Sequence, residues 1–212
     1  MPPSPWPVAP VSSSQLPGVV PYITAWSSER PSAQPVVDRG TGIGFADEAP
    51  YDRDKDGVLW TRTGHSPGAG RPELGQVHAL RQRRAMRRLL CQVCGRQASR
   101  NREGVLWVIG GEATSSCSWP NDLTTSHPPL CEPCAVRSMQ MCPHLRRRSV
   151  ALRVRAHTPV GVHGALYQPG RPRPTMWTVA GVTDDDVRIR WTRAGQLVVR
   201  LDSYTVVELE RP

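Results

Sequence analysis

Cys91-Gln-Val-Cys94-Gly95 and Cys131-Glu-Pro-Cys134 decide the reading of this 212-residue chain, and 36 residues separate the two pairs. Two Cys-x-x-Cys pairs bring together four thiolates, the donor set that zinc takes in a tetrahedral structural site. Gly95 follows the first pair and frees the backbone to turn tightly around a metal. Four thiolates leave zinc no open position for water, so the expected cofactor is a structural Zn2+ on Cys91, Cys94, Cys131 and Cys134. Binding of this kind adds on the order of 10 kcal/mol of folding free energy. A rubredoxin-like iron site and reduced structural thiols are the alternatives, and the gap exceeds the commonest spacing of such pairs.

Outward from the cysteines, residues 105–110 form a candidate hairpin strand, and the second pair opens a candidate helix over 135–142 that Pro143 stops. Knuckle, hairpin and helix in that order resemble the treble-clef zinc finger over residues 88–145, a scaffold shared by many functions. The run Arg81-Gln-Arg-Arg-Ala-Met-Arg-Arg-Leu-Leu-Cys-Gln-Val-Cys-Gly95, with Pro128-Pro-Leu-Cys-Glu-Pro-Cys134 and Cys142-Pro-His144, resembles proteins encoded by GC-rich Gram-positive bacteria and their mobile elements. That resemblance implies no activity. HNH nucleases share the treble-clef scaffold, but they place His or Asn beside the last cysteine pair, where Ala135 stands. His78, His127 and His144 are nuclease candidates only by proximity.

Cys117 and Cys142 invite a second metal site with His127 and His144. Against it, Ala135, Met139 and Cys142 share one helix face, as a buried small thiol would, and Cys117 sits in the Ser-rich run Thr114-Ser-Ser-Cys-Ser118.

Charge is the second signal. The chain carries 27 Lys+Arg against 18 Asp+Glu, a net +9. Residues 71–104 hold nine arginines against two acids, so the positive field is local. Pro72 and Glu73 suit the first turn of a helix, and a helix is expected over 72–90. Leu74, Ala79, Ala85, Met86, Leu89 and Leu90 then fall on one arc, and Arg81, Arg83, Arg84, Arg87 and Arg88 on the other, with Val77 and Leu80 among the arginines. Such a face attracts polyanions, nucleic acid foremost, and Arg146, Arg147 and Arg148 would extend it. A solvated helix face is the bland alternative. Five phosphate contacts would make log K fall with log salt at a slope near about −4.5.

The rest of the chain divides by composition. Residues 1–36 hold nine prolines and read as a largely disordered arm, although 19–26 is apolar enough to dock. Trp6 and Trp26 on that arm offer a protein-partner reading: an interaction or assembly module. Residues 37–70 read as extended loop, with His65-Ser-Pro-Gly-Ala-Gly70 as a joint. Within them, Asp52-x-Asp54-x-Asp56-Gly57 matches half a calcium loop but has Thr63 where a bidentate Glu is needed, so an acidic turn is expected. Gly40-x-Gly42-x-Gly44 lacks the spacing of a phosphate loop. Asp56-Gly-Val-Leu-Trp60 and Glu103-Gly-Val-Leu-Trp107 echo each other as turn-then-strand signals.

Residues 71–148 hold the basic helix and zinc module. Residues 149–212 read as a small β module, an SH3-like barrel or curled sheet. Its candidate strands are 151–155, 162–167, 177–182, 187–191, 197–202 and 206–209, with a turn at Arg193-Ala-Gly195. The class is therefore α+β. No stretch is apolar enough to span a membrane and no secretory leader opens the sequence, so a cytoplasmic location is expected. The functional expectation is a zinc-stabilised basic binding protein without catalysis. A protein-interaction module is the first alternative and a divergent HNH-like nuclease the second.

Overall fold

The computed structural model describes residues 19–31, 35–110, 122–170 and 172–209; Trp6, Cys117 and the first eighteen residues lie outside them. In chain order the elements are β1 (Thr24–Trp26), β2 (Val36–Asp38), β3 (Ile43–Phe45), β4 (Leu59–Trp60), β5 (Pro72–Val77) and α1 (Ala79–Arg88). There follow β6 (Arg100–Asn101), β7 (Gly104–Gly110), β8 (Thr124–Thr125), α2 (Glu132–Met141), α3 (Pro143–Arg147), β9 (Ser149–Gln168), β10 (Thr175–Thr183) and β11 (Thr192–Val207). The protein is α+β and mostly sheet.

Two long strands organise it. β9 and β11 pair antiparallel along most of their 20 and 16 residues. On its other edge, β9 carries β7 against residues 149–154 and β10 against residues 161–168. β4 joins β11 in parallel and β8 joins it antiparallel, so the described sheet follows β4-β11-β9-β7-β6 and stays open. Register shifts at Ala194/Gln196, Val198/Val199 and Leu201/Ser203 bend the pair. Gly164 lets the strands close up: a Cβ there would stand 2.3 Å from the Arg193 carbonyl oxygen. α1 packs over the sheet, and Trp60, Met86, Trp107, Leu152, Val162 and Leu197 share the main core beneath it.

Of the SH3-like barrel or curled sheet expected at the C-terminus, the barrel is not formed: the described strands make an open, bent sheet. The segment boundary at 148/149 also cuts through this sheet, because β7 pairs directly with β9. Residues 187–191, expected as a strand, wind into a 3-10 turn that Asp186 caps through the Arg188 N–H at 2.8 Å. Residues 193–195, expected as a hairpin turn, run straight through β11, where Ala194 is fully buried.

The helix expected over 72–90 begins late. Residues 72–77 form β5 and pair with β1, so Thr24 faces Val77 and Trp26 faces Pro72. Gly75 weakens a helix at that point, and the docked arm offers its backbone instead. His78 ends the strand and caps α1: its Nδ1 accepts from Arg81 N at 3.4 Å. α1 stops at Arg88 because Leu89 turns left-handed, at φ 53, and Leu90 N returns to Ala85 O. The apolar arc still buries, with Ala79, Ala85 and Met86 at 3% exposure or less.

Residues 19–31 lie across this region. Tyr22 N and Ile23 N donate to Val93 O and Gln92 O, and His78 N donates to Ile23 O. The expected joint at 65–70 is pinned to the arm, with Ser28 Oγ on Ala69 O at 2.7 Å and Ser66 N on Glu29 Oε1 at 2.9 Å. No helix among the described residues is long and apolar enough to cross a membrane.

Candidate metal centre and basic face

Four cysteines converge. Donor sulfurs of Cys91, Cys94, Cys131 and Cys134 all lie within 4.8 Å of one another, and Cys94 Sγ stands 3.7 Å from Cys131 Sγ. A tetrahedron with Zn–S bonds of about 2.3 Å has sulfurs about 3.8 Å apart, so the arrangement fits zinc. Each pair is placed by ordinary backbone logic. After Cys91 the chain folds back: Gly95 N donates to Cys91 O and Cys91 N to Arg96 O. Gly95 makes this possible at φ 71, with the Tyr22 ring so close that a Cβ would lie 2.9 Å from it. Cys131 caps α2 and Cys134 sits on its first turn. Between the pairs, Leu106 N bonds Ser99 O, Ser99 N bonds Leu130 O and Leu130 N bonds Leu106 O, which ties knuckle, strand and second pair into one unit.

Burial pushes the thiols of Cys91 and Cys134 up. At Cys94 burial acts in the same sense, but the backbone N–H and guanidinium of Arg96, with the neighbouring thiols, outweigh it and hold the thiol at about 7. A divalent cation relieves such crowding, since it takes all four sulfurs as thiolates. The second-site candidates do not join it: Cys142 is half-buried between α2 and α3, His144 and His127 are exposed, and no described metal-binding group includes any of them.

Glu29, His65 and His78 also bring donor atoms within 4.8 Å of one another. Glu29 and His78 are already engaged, and His65 is exposed beside them. Glu29 accepts from Arg81 Nη1 and Nη2 at 2.7 and 2.6 Å, from Trp26 N and from Ser66 N. His78 Nε2 donates to Gly64 O at 2.9 Å while Nδ1 caps α1, which assigns the neutral tautomer. Burial, first among the causes, keeps His78 uncharged. A cation here would face the Arg81 guanidinium, so this cluster is a buried ion pair. Sequence reading missed it, because Glu29 and Arg81 lie 52 residues apart.

The five helix arginines separate accordingly. Arg81, expected on the polyanion face, is buried and carries Glu29 and Thr24 O. Arg83 stacks over Trp60, 4.4 Å from the ring centroid, and its Nη1 is buried with no partner among the described residues. Arg84 and Arg88 are exposed, as is Arg87, which pairs with Asp54 at 3.1 Å. Leu80, Arg83, Arg84, Arg87 and Arg88 line one shallow surface groove. Arg146, Arg147 and Arg148 are exposed around the end of α3.

The acidic turn is internal scaffolding. Asp54 Oδ1 accepts from Asp56 N and Val58 N, its Oδ2 accepts from Trp60 Nε1, and Asp52 is buried against Arg62. The chain matches no protein-family model, and searches of curated proteins and of solved structures find no significant match.

Proposed function

We propose that this chain is a zinc-stabilised, non-catalytic protein that contacts nucleic acid through the arginine-lined face of α1. The groove around Leu80 carries the reading: four guanidinium groups on one ten-residue helix converge on it, and among the described ion pairs these four join only one, Arg87 with Asp54. Guanidinium forks match phosphate oxygens and hold their charge at every physiological pH. The order of knuckle, hairpin and α2 around the cysteines supports the treble-clef comparison, with Zn2+ as a structural ion. Arg146, Arg147 and Arg148 remain candidates for a second contact.

Because Arg81 is spent internally, the salt slope should be shallower than five contacts give. Four contacts correspond to about −3.6. Fluorescence anisotropy of labelled nucleic acid across a salt series, with zinc stoichiometry from native mass spectrometry, tests this. Binding that ignores salt, or no binding, overturns it.

One observation favours protein docking instead: Met176, Trp177 and Val179 stand exposed on β10, which pairs only with β9 among the described strands. The arm's Trp26 is engaged in β1, so its described part already docks on its own chain. A partner lost in Trp177→Ala while nucleic-acid binding persists would support that reading. For a nuclease, His78 has both ring nitrogens engaged, and a Mg2+-dependent plasmid-nicking assay should read background.

A further inference from the structure

The exposed face of α1 has little with which to read bases. Gln82, the one side-chain amide on the helix, is buried and fully used: Nε2 donates to Ser126 O and Leu197 O, and Oε1 accepts from Leu197 N. The exposed positions of α1 are Leu80, Arg84, Arg87 and Arg88. An arginine can read guanine, but only with its fork free to align on the base edge. Arg83 lies on Trp60 and Arg87 is tied to Asp54, which leaves Arg84 and Arg88 as the free forks, with no exposed amide or hydroxyl on the helix beside them. Nor does the groove offer an aromatic face on which an unstacked base could lie, as single-strand binders do. Trp60 is 2% exposed, beneath Arg83.

What remains is positive charge at regular intervals. Arg84 and Arg88 are one turn apart, about 6 Å along the axis. Ala98 N donates to Leu89 O at 3.0 Å, which ties the end of α1 to the segment leading into the β6–β7 hairpin, where Arg100 on β6 and Arg102 and Glu103 in the turn are exposed. Asp54, Asp56 and Asp184 line a neighbouring cleft that Arg87 borders, with Lys55 paired to Asp56. The carboxylates outnumber the cations there, so that cleft disfavours a polyanion.

We propose that this surface binds the phosphate backbone of duplex nucleic acid without reading its sequence, along Arg84, Arg88, Arg100 and Arg102. The proposal rests on the nucleic-acid reading above and adds what kind of nucleic acid is held and where it runs.

The test is fluorescence anisotropy of the full zinc-loaded chain with two duplexes of unrelated sequence and one single strand of equal length. The two duplexes should bind alike and the single strand more weakly. Arg100→Ala/Arg102→Ala and Arg84→Ala/Arg88→Ala should each flatten the salt slope by about 1.8, the share of two phosphate contacts. All four side chains are exposed, so unchanged circular dichroism melts should accompany the loss. A preference for one duplex, tighter binding of the single strand, or an unchanged slope in the Arg100/Arg102 variant overturns this proposal while the broader reading stands. Failure to bind all three probes removes both.

Discussion

The knuckle end and the β9–β11 end bury their chain by different means. Around the cysteines the described core is Cys91, Val93, Leu106, Val108, Leu130, Ala135 and Ala151, aliphatic side chains and one thiol, with Cys94, Cys131 and Cys134 packed beside them and no aromatic ring among them. Along β9 and β11 it includes Trp60, Trp107, Leu152, Val154, Val162 and Leu201, each nearly or fully buried. The first cluster sits against four thiols that could hold a metal, which would add folding free energy there; the second includes two tryptophans and is held by transfer of large side chains. The arm belongs to the first group. Its Tyr22 and Ile23 bond to the knuckle, and Glu29 bonds to α1, so its order depends on the segment that carries the first cysteine pair.

The sharpest break is therefore metal removal. Chelation, or Cys131→Ser, should forfeit on the order of 10 kcal/mol at the knuckle. Hydrogen exchange should then show lost protection at the amides of Tyr22, Ile23, Cys91 and Gly95, while the β9–β11 ladder keeps its own. A single cooperative collapse of both ends would end the distinction. Next in size is Glu29→Gln, which strands the buried Arg81 charge and should cost about 3–5 kcal/mol. Limited proteolysis should then cut within residues 19–31 while the sheet stays intact. Leu152→Ala is the counterpart at the other end. Leu152 has no exposure, and the truncation should cost about 2–5 kcal/mol in denaturant melts. Zinc stoichiometry by mass spectrometry should not change.

The metal end was legible because its chemistry is written locally: two cysteine pairs, a glycine after the first, and a helix start at the second. The echo segments were legible for a similar reason. Both open strands, β4 and β7, and the Asx turn at Asp54 matches the acidic turn expected there. The helix start was misread because the residues that pull 72–77 into a strand lie in β1, about fifty positions away, and Pro72 serves a sheet edge as readily as a helix. Arg81's place on the arginine face escapes the sequence for the same kind of reason. An amphipathic arc shows which side a residue occupies, but it cannot show that Glu29 waits beneath Arg81. The C-terminal strands were found as fragments, because alternation marks a strand locally and says nothing about two fragments joining through a bulge into one bent ladder.

The smallest effect tests the arm through acid. Arg81, foremost among the causes, holds the Glu29 carboxyl down at about 2, with the N–H groups of Trp26 and Ser66 adding to it against the opposing effect of burial. Its ordinary value is near 4.5. A carboxyl depressed on folding contributes stability that is present above the unfolded value and is lost as pH falls through the folded one. The whole contribution is about 3 kcal/mol, and about 2 kcal/mol of it should be gone by pH 3. Other depressed carboxyls, such as Asp52 on Arg62 and Asp186 on Arg188, titrate in the same range, so the native protein alone gives no clean reading. The difference between the native protein and Glu29→Gln does, because those groups, and zinc release as the thiolates protonate, act on both alike. That difference should be flat from neutral pH down to about 5 and then narrow steadily. His78 adds no step in between, since burial keeps its ring neutral and both nitrogens are already bonded. A difference that instead changes around pH 6 to 7 would mean that His78, rather than the Glu29–Arg81 pair, controls how the arm is held.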